Sequence, residues 1–270
     1  ATYVIHSMVS PSDGLLAAAE EEDGSVIIAS RELNYDGTPP DFILTRLGST
    51  ATREVARFSM DELSPCEVGN VQLVRFQRTP DGVQHVFLLE FEQYAHIVGE
   101  SDTWEVVSAA CLPAPATRNV RWADALARPD GSVDVLAATG WDTGIEAIDW
   151  FDGTPPAAMD APVRVGIGFD PQLCLAPESD VVGSFVTNEA DSPTTSVATL
   201  HFAWLSAGGV VSRTESLLGP THSAYGELTH HVLSCANDVA VVLFQGSIPP
   251  VSWPLIVWRF GGSPVTVSVQ

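Results

Sequence analysis

The chain contains no lysine; its 12 basic residues are all arginine and face 34 acidic ones, for a net charge of −22. A polyanion would meet repulsion over most of such a surface, so nucleic acid is not expected as a partner. The acidic excess reads as a solvated surface that favours solubility, and a positively charged partner or a divalent cation is electrostatically easier. No apolar run approaches the length of a membrane span. No C-x-x-C pair marks a zinc or thioredoxin-type site, and no Asn-x-Ser/Thr sequon occurs.

Catalytic signatures are missing as well. There is no G-x-S-x-G elbow, H-E-x-x-H, P-loop, EF-hand loop or complete G-x-G-x-x-G. Gly166-Ile167-Gly168 is only a fragment of a dinucleotide pattern and reads as strand or turn. Among seven histidines, His230 and His231 are adjacent; neighbours on a strand face opposite sides and cannot line one site. His96 and Glu100 read as a hydrogen-bonded surface pair rather than a ligand set. No metal, cofactor or catalytic residue is therefore expected from motifs.

The four cysteines, Cys66, Cys111, Cys174 and Cys235, are widely spaced and even in number. Two disulfides in an exported protein fit this pattern. Of the three possible connectivities, Cys66 to Cys111 and Cys174 to Cys235 are expected. The first pair brackets one repeat and the second falls in corresponding regions of adjacent repeats. The opening Ala1-Thr2 reads as a chain whose signal peptide is gone. The expected location is the periplasm, the cell surface or the medium.

What is present is a repeat. An apolar strand, a tight acidic or Gly turn and a second apolar strand recur at Glu22-Asp23-Gly24, Pro80-Asp81-Gly82 and Pro129-Asp130-Gly131. More degenerate copies stand at Pro177-Glu178-Ser179-Asp180 and Cys235-Ala236-Asn237-Asp238. Their spacing of roughly 50 residues is that of a propeller blade. Trp150, Trp204 and Trp258, each shortly before a Gly turn, keep the same phase and are expected to pack between blades. The expectation is an all-β, five-bladed β-propeller of about four antiparallel strands per blade, forming one domain over residues 1–270. Inner strands should start near 15, 71, 120, 173 and 228, and the N-terminal run at 3–6 should pair near the C-terminus and close the ring. The helical propensity of Ala17-Ala18-Ala19-Glu20-Glu21-Glu22 is overruled by the repeat.

Propellers bind ligands on the face that carries the connections between second and third strands. In this phase those connections hold Asp36, Glu92, Trp141, Asp142, Asp191 and Trp253, with Asp41, Asp61, Glu62, Asp170, His222, Tyr225 and Glu227 nearby. Carboxylates interspersed with aromatic rings are the composition of a sugar site, because rings cover the apolar sugar face while carboxylates accept from hydroxyls. The first expectation is an exported, non-catalytic recognition or assembly domain that binds a glycan or protein partner through one axial face, within a larger extracellular assembly. The alternative is a carbohydrate-active hydrolase in which Asp36, Glu92 and Asp142 supply paired carboxylates.

Overall fold

The recurring acidic-Gly turns are the joints of the fold. Gly24, Gly82 and Gly131 have φ of 78°, 91° and 86°, a region where a Cβ is strained. The Asp before each Gly accepts the N–H two residues on: Asp23 from Ser25 at 2.8 Å, Asp130 from Ser132 at 2.9 Å, and Asp81 from Val83 at 3.5 Å. In two copies the Gly N–H also donates to the carbonyl three residues back, Glu21 at 3.0 Å and Thr79 at 2.9 Å. Side-chain capping plus a left-handed Gly reverses the chain tightly enough to join two antiparallel strands.

The computed structural model describes residues 6–7, 15–21, 23–32, 40–63, 66, 73–79, 81–90, 93–100, 102–112, 122–139, 147–154, 159–176, 181–192, 195–206, 210–223, 228–236, 239–246, 254–259 and 265–268. Two compact units are distinguished. The first comprises residues 1–119, 129–133 and 153–160, and the second residues 120–128, 134–152 and 161–270.

The first unit carries β1 (His6–Ser7), β2 (Leu15–Glu20), β3 (Val26–Glu32), β4 (Asp41–Leu47), β5 (Thr52–Ser59), the single helical turn α1 (Met60–Leu63), β6 (Leu73–Arg78), β7 (Gln84–Glu90), β8 (Gln93–Glu100) and β9 (Thr103–Cys111). β2–β5 form a four-stranded sheet in sequence order, and β6–β9 form another with β1 added beside β6. The second unit carries β10 (Trp122–Ala127), β11 (Val133–Thr139), β12 (Ala147–Gly153), β13 (Val163–Ile167), β14 (Phe169–Leu175), β15 (Val181–Ser192), β16 (Thr195–Ser206), β17 (Val210–Ser223), β18 (Leu228–Ala236), β19 (Val239–Gly246), β20 (Pro254–Arg259) and β21 (Val265–Ser268). These make three four-stranded sheets, β10–β13, β14–β17 and β18–β21, each in sequence order.

Burial follows strand position. β11, a second strand, is buried along its whole length, whereas the fourth strands β5 and β13 are mostly exposed or half-buried. A strand apolar on both faces needs cover on both, and within each unit neighbouring sheets pack face to face. In the first unit one core joins Ala17, Ile27, Phe42 and Leu44 of one sheet to Val74, Phe76, Val86, Leu88 and Ile97 of the other. In the second unit Leu126, Leu136, Ile148 and Trp150 meet Leu173, Val181, Phe185 and Leu205 of the next sheet. Trp150 is 1% exposed and donates its indole N–H to Asp134 at 2.8 Å, so it packs between sheets as expected.

Both disulfides join the expected partners. Cys66–Cys111 spans 5.8 Å between Cα atoms, and Cys174–Cys235 ties β14 to β18 across 5.6 Å. The residues with helical propensity form β2 instead. One expectation is corrected: His6 and Ser7 pair antiparallel with Arg75 and Val74 of β6, not with C-terminal strands. Residues 3–5 lie outside the described residues. β6 is a first strand whose free edge offers unpaired N–H and C=O groups, and β1 satisfies them.

Candidate functional site

The expected ligand-binding residues Asp36, Glu92, Trp141, Asp142 and Trp253 lie outside the described residues, as do Tyr225 and Glu227. Asp191 and His222 are on β15 and β17, and only their backbone is described. Asp41 starts β4, where its carboxylate accepts from Arg57 at 2.8 Å. Asp61 and Glu62 sit exposed on α1.

Asp170 is placed differently from the solvated loop position expected for it. It occupies a left-handed conformation, φ 53°, at the start of β14, where the pairing with β15 shifts register. This strained backbone turns its carboxylate toward β18. Oδ2 accepts the His231 backbone N–H at 2.7 Å and stands 3.1 Å from His231 Nδ1, while His231 Nε2 is 2.6 Å from Ser184 Oγ. With Nδ1–H donating to the carboxylate, Nε2 accepts the Ser184 proton, which is the connectivity of a serine nucleophile relay. Burial decides against that chemistry: Ser184 is 0% and His231 2% exposed, so no substrate reaches the hydroxyl. The trio is a latch between neighbouring first strands. Asp124 makes the corresponding link one sheet earlier, accepting the Leu173 N–H of β14 at 2.6 Å. Asp124, Ser184 and this use of Asp170 escaped the sequence reading. The available signal was an acid set among apolar residues at the start of a first strand.

At the root of segment 140–146, which carries Trp141 and Asp142, stands a second described carboxylate. Asp149 of β12 accepts from Thr139 Oγ1 at 2.6 Å and from Arg164 Nε at 2.5 Å. Thr139 is the last residue of β11, so this cluster fixes the strand ends from which the segment departs.

In the first unit His96 is 3% exposed and faces His85, not Glu100, which corrects the expected surface pair. His96 Nε2 lies 2.9 Å from His85 Nδ1, His85 Nε2 lies 3.4 Å from Thr79 Oγ1, and Thr79 donates to Asp81 at 2.6 Å. An ionised carboxylate can only accept, which orients the chain outward from His96 and leaves His96 Nδ1 as an unpartnered buried acceptor. Burial lowers both imidazoles, His85 to about 4 despite the nearby Asp81, and His96 to about 3 with His85 adding to the effect. Both rings are neutral at physiological pH, and Phe87 stacks on His96 at 4.5 Å. Among the described residues, no group of three or more His, Cys, Asp or Glu is arranged to hold a metal ion.

No protein-family model matches the chain, and no curated protein matches its sequence. Solved structures do. The α-L-arabinofuranosidase Arb93A of Fusarium graminearum, in a mutant form complexed with an iminosugar inhibitor, is 12% identical, covers 95% of this chain and 81% of its own, with a TM-score of 0.56. An α-L-arabinanase of Penicillium chrysogenum complexed with arabinobiose is 12% identical over 97% of this chain and 82% of its own, TM-score 0.50. A Dyadobacter fermentans protein of unknown function is 11% identical over 88% and 73%, TM-score 0.54. At these identities the likeness is one of fold, and it makes this a propeller-like all-β protein. It also corrects the first functional expectation. The two of these neighbours with a named activity are sugar hydrolases, which favours the hydrolase alternative over a non-catalytic recognition or assembly domain.

Proposed function

We propose that the protein is a carbohydrate-active hydrolase that cleaves a glycosidic bond in an arabinose-containing glycan, with paired carboxylates on loops that follow the second strands. The carrying observation is the fold likeness to an arabinofuranosidase and an arabinanase over nearly the whole chain. We further infer that the five sheets are blades of one propeller domain. Within each unit the first strands already lie side by side, β2 by β6 and β10 by β14 by β18. The segments after β3 and β7, in the first unit, hold Asp36 and Glu92, and the segment after β11, in the second, holds Asp142. Trp141 and Trp253 fall in the same kind of connection, Asp191 stands at the end of β15 beside it, and the three would line the sugar.

Two carboxyl groups suffice for the reaction. One, protonated, gives its proton to the departing glycosidic oxygen as the C–O bond breaks, and the other, ionised, either takes a proton from the attacking water or attacks the anomeric carbon itself. A separation of about 5 Å implies retention and about 6.5 to 9.5 Å inversion. Both disulfides fit a protein exported to an oxidising compartment. Among the described residues no helix is long and apolar enough to cross a membrane.

The test is release of sugar from an aryl α-L-arabinofuranoside and from arabinobiose. Turnover is expected, with Asp36→Asn, Glu92→Gln and Asp142→Asn each examined at unchanged melting temperature. Loss of an acid or base should cost on the order of 10²- to 10⁴-fold in kcat. Absence of turnover on every neutral glycoside, or full activity in all three variants, would overturn the proposal.

A further inference from the structure

A groove of about 300 Å³ opens between the outer strand β13 and one face of the β14–β17 sheet. Its volume lies at the small end of ligand pockets. The floor is built by register. Phe185 of β15 pairs with His201 of β16, which pairs with Ser216 of β17, so all three side chains stand in one row. Phe185 and His201 stack at 4.9 Å. The imidazole is held by hydroxyls on both nitrogens, Thr187 Oγ1 at 2.8 Å and Ser216 Oγ at 2.9 Å. The opposite wall is Val165-Gly166-Ile167. A Cβ on Gly166 would come within 2.4 Å of the Phe185 ring, so only glycine lets β13 lie this close. Ile167 on the rim is 58% exposed, although it is a large apolar side chain.

The lining combines an apolar wall with the hydroxyls of Thr187, Thr214 and Ser216 and contains no Lys or Arg, while Glu215, the strand neighbour of Ser216, turns to the opposite face and pairs with Arg213. With a net charge of −22 on the chain, an anionic ligand is disfavoured here. An apolar wall opposite a row of hydroxyls matches a sugar ring, which offers C–H groups on one face and hydroxyls around its edge. We infer that this groove is a glycan-binding subsite for one neutral sugar residue, apart from the loops proposed to carry catalysis. It deepens the hydrolase reading by giving the enzyme a second hold on its polymer.

The experiment titrates L-arabinose and arabinobiose, with D-glucuronate as the anionic counterpart, by calorimetry and ligand-observed NMR. It compares the intact protein with Ile167→Asp, Thr214→Val and Val210→Asp. Val210 is, among the described residues, the other exposed large apolar side chain, 54% exposed, and does not line the groove. Binding of the neutral sugars is expected to weaken about tenfold in Ile167→Asp and Thr214→Val, which is ~1.4 kcal/mol, and to hold in Val210→Asp. Turnover of the aryl arabinofuranoside should be unchanged in all three. Equal affinity in Ile167→Asp and the parent, or equal binding of D-glucuronate, overturns the subsite. Sugar binding that is lost in Ile167→Asp without any hydrolytic activity in the parent sustains the subsite while sinking the hydrolase reading, so the two fail separately.

Discussion

Two buried histidine clusters, one in each unit, show how the same residue type is stabilised in opposite ways. In the second unit His231 is satisfied on both nitrogens by Asp170 and Ser184, and the carboxylate also takes its backbone N–H. In the first unit His96 has only another imidazole as partner, and its second nitrogen bonds to nothing. The first arrangement gives both imidazole nitrogens and the backbone N–H of His231 a polar partner. The second is an aromatic stack that happens to carry nitrogens, neutral because burial forbids charge.

The largest effect should come from breaking the completed network. Asp170→Ala leaves the His231 N–H and imidazole buried without an acceptor, and is expected to cost about 3 kcal/mol, read as a lower denaturant midpoint; Asp170→Asn should restore part of it. A cost below that of an ordinary surface substitution would show that β14 and β18 do not need the latch.

Next in size are the cross-links, one in each unit. Cys174→Ala with Cys235→Ala, and separately Cys66→Ala with Cys111→Ala, should each lose about 2 to 4 kcal/mol. If the latch and the Cys174–Cys235 bond secure the same two strands, combining Asp170→Asn with loss of that disulfide should cost more than the sum, whereas combining it with loss of Cys66–Cys111 should be additive. Additivity in both combinations would mean that the two fastenings act independently.

The first-unit cluster also responds to acid. His85 and His96 titrate near 4 and 3 when folded, against 6.5 for an ordinary imidazole. As pH falls below 6.5 the unfolded chain takes up protons that the folded one refuses, so their contribution is complete above 6.5 and is lost progressively toward pH 4 and then 3. Melting temperature should fall across this window, and the double variant His85→Phe, His96→Phe should flatten the fall. An unchanged acid limb in the double variant would place the sensitivity elsewhere.

The smallest effect sharpens the contrast at neutral pH. His96→Phe removes an unpartnered nitrogen and keeps the stack on Phe87, so its cost should stay below about 1 kcal/mol. Ser184→Ala deprives His231 of its donor and should cost about 1 kcal/mol or somewhat more. Reversed magnitudes would show that packing, not hydrogen bonding, distinguishes the two sites.

Local chemistry was readable before any coordinates. Gly24, Gly82 and Gly131 follow an Asp because the turn needs a left-handed residue beside a capping carboxylate, and both requirements act within five residues. The strand phase followed from these turns and from Trp150, and the cysteine pairing from their place in the repeat. The candidate site was legible only as residue types in the second-to-third-strand segments, since convergence of carboxylates depends on how separate sheets face one another.

The sequence by itself therefore determined the strand-turn-strand period, the four-strand unit and the disulfide partners, because each depends on contacts within a repeat or on its periodic recurrence. Only tertiary structure decided that β1 adds to β6, that His96 meets His85 instead of Glu100, that Asp170 turns inward to His231, and that Gly166 lies on Phe185 to shape a groove. Those outcomes join residues of different strands or sheets, and sheet packing and register, which no local pattern encodes, choose the partner.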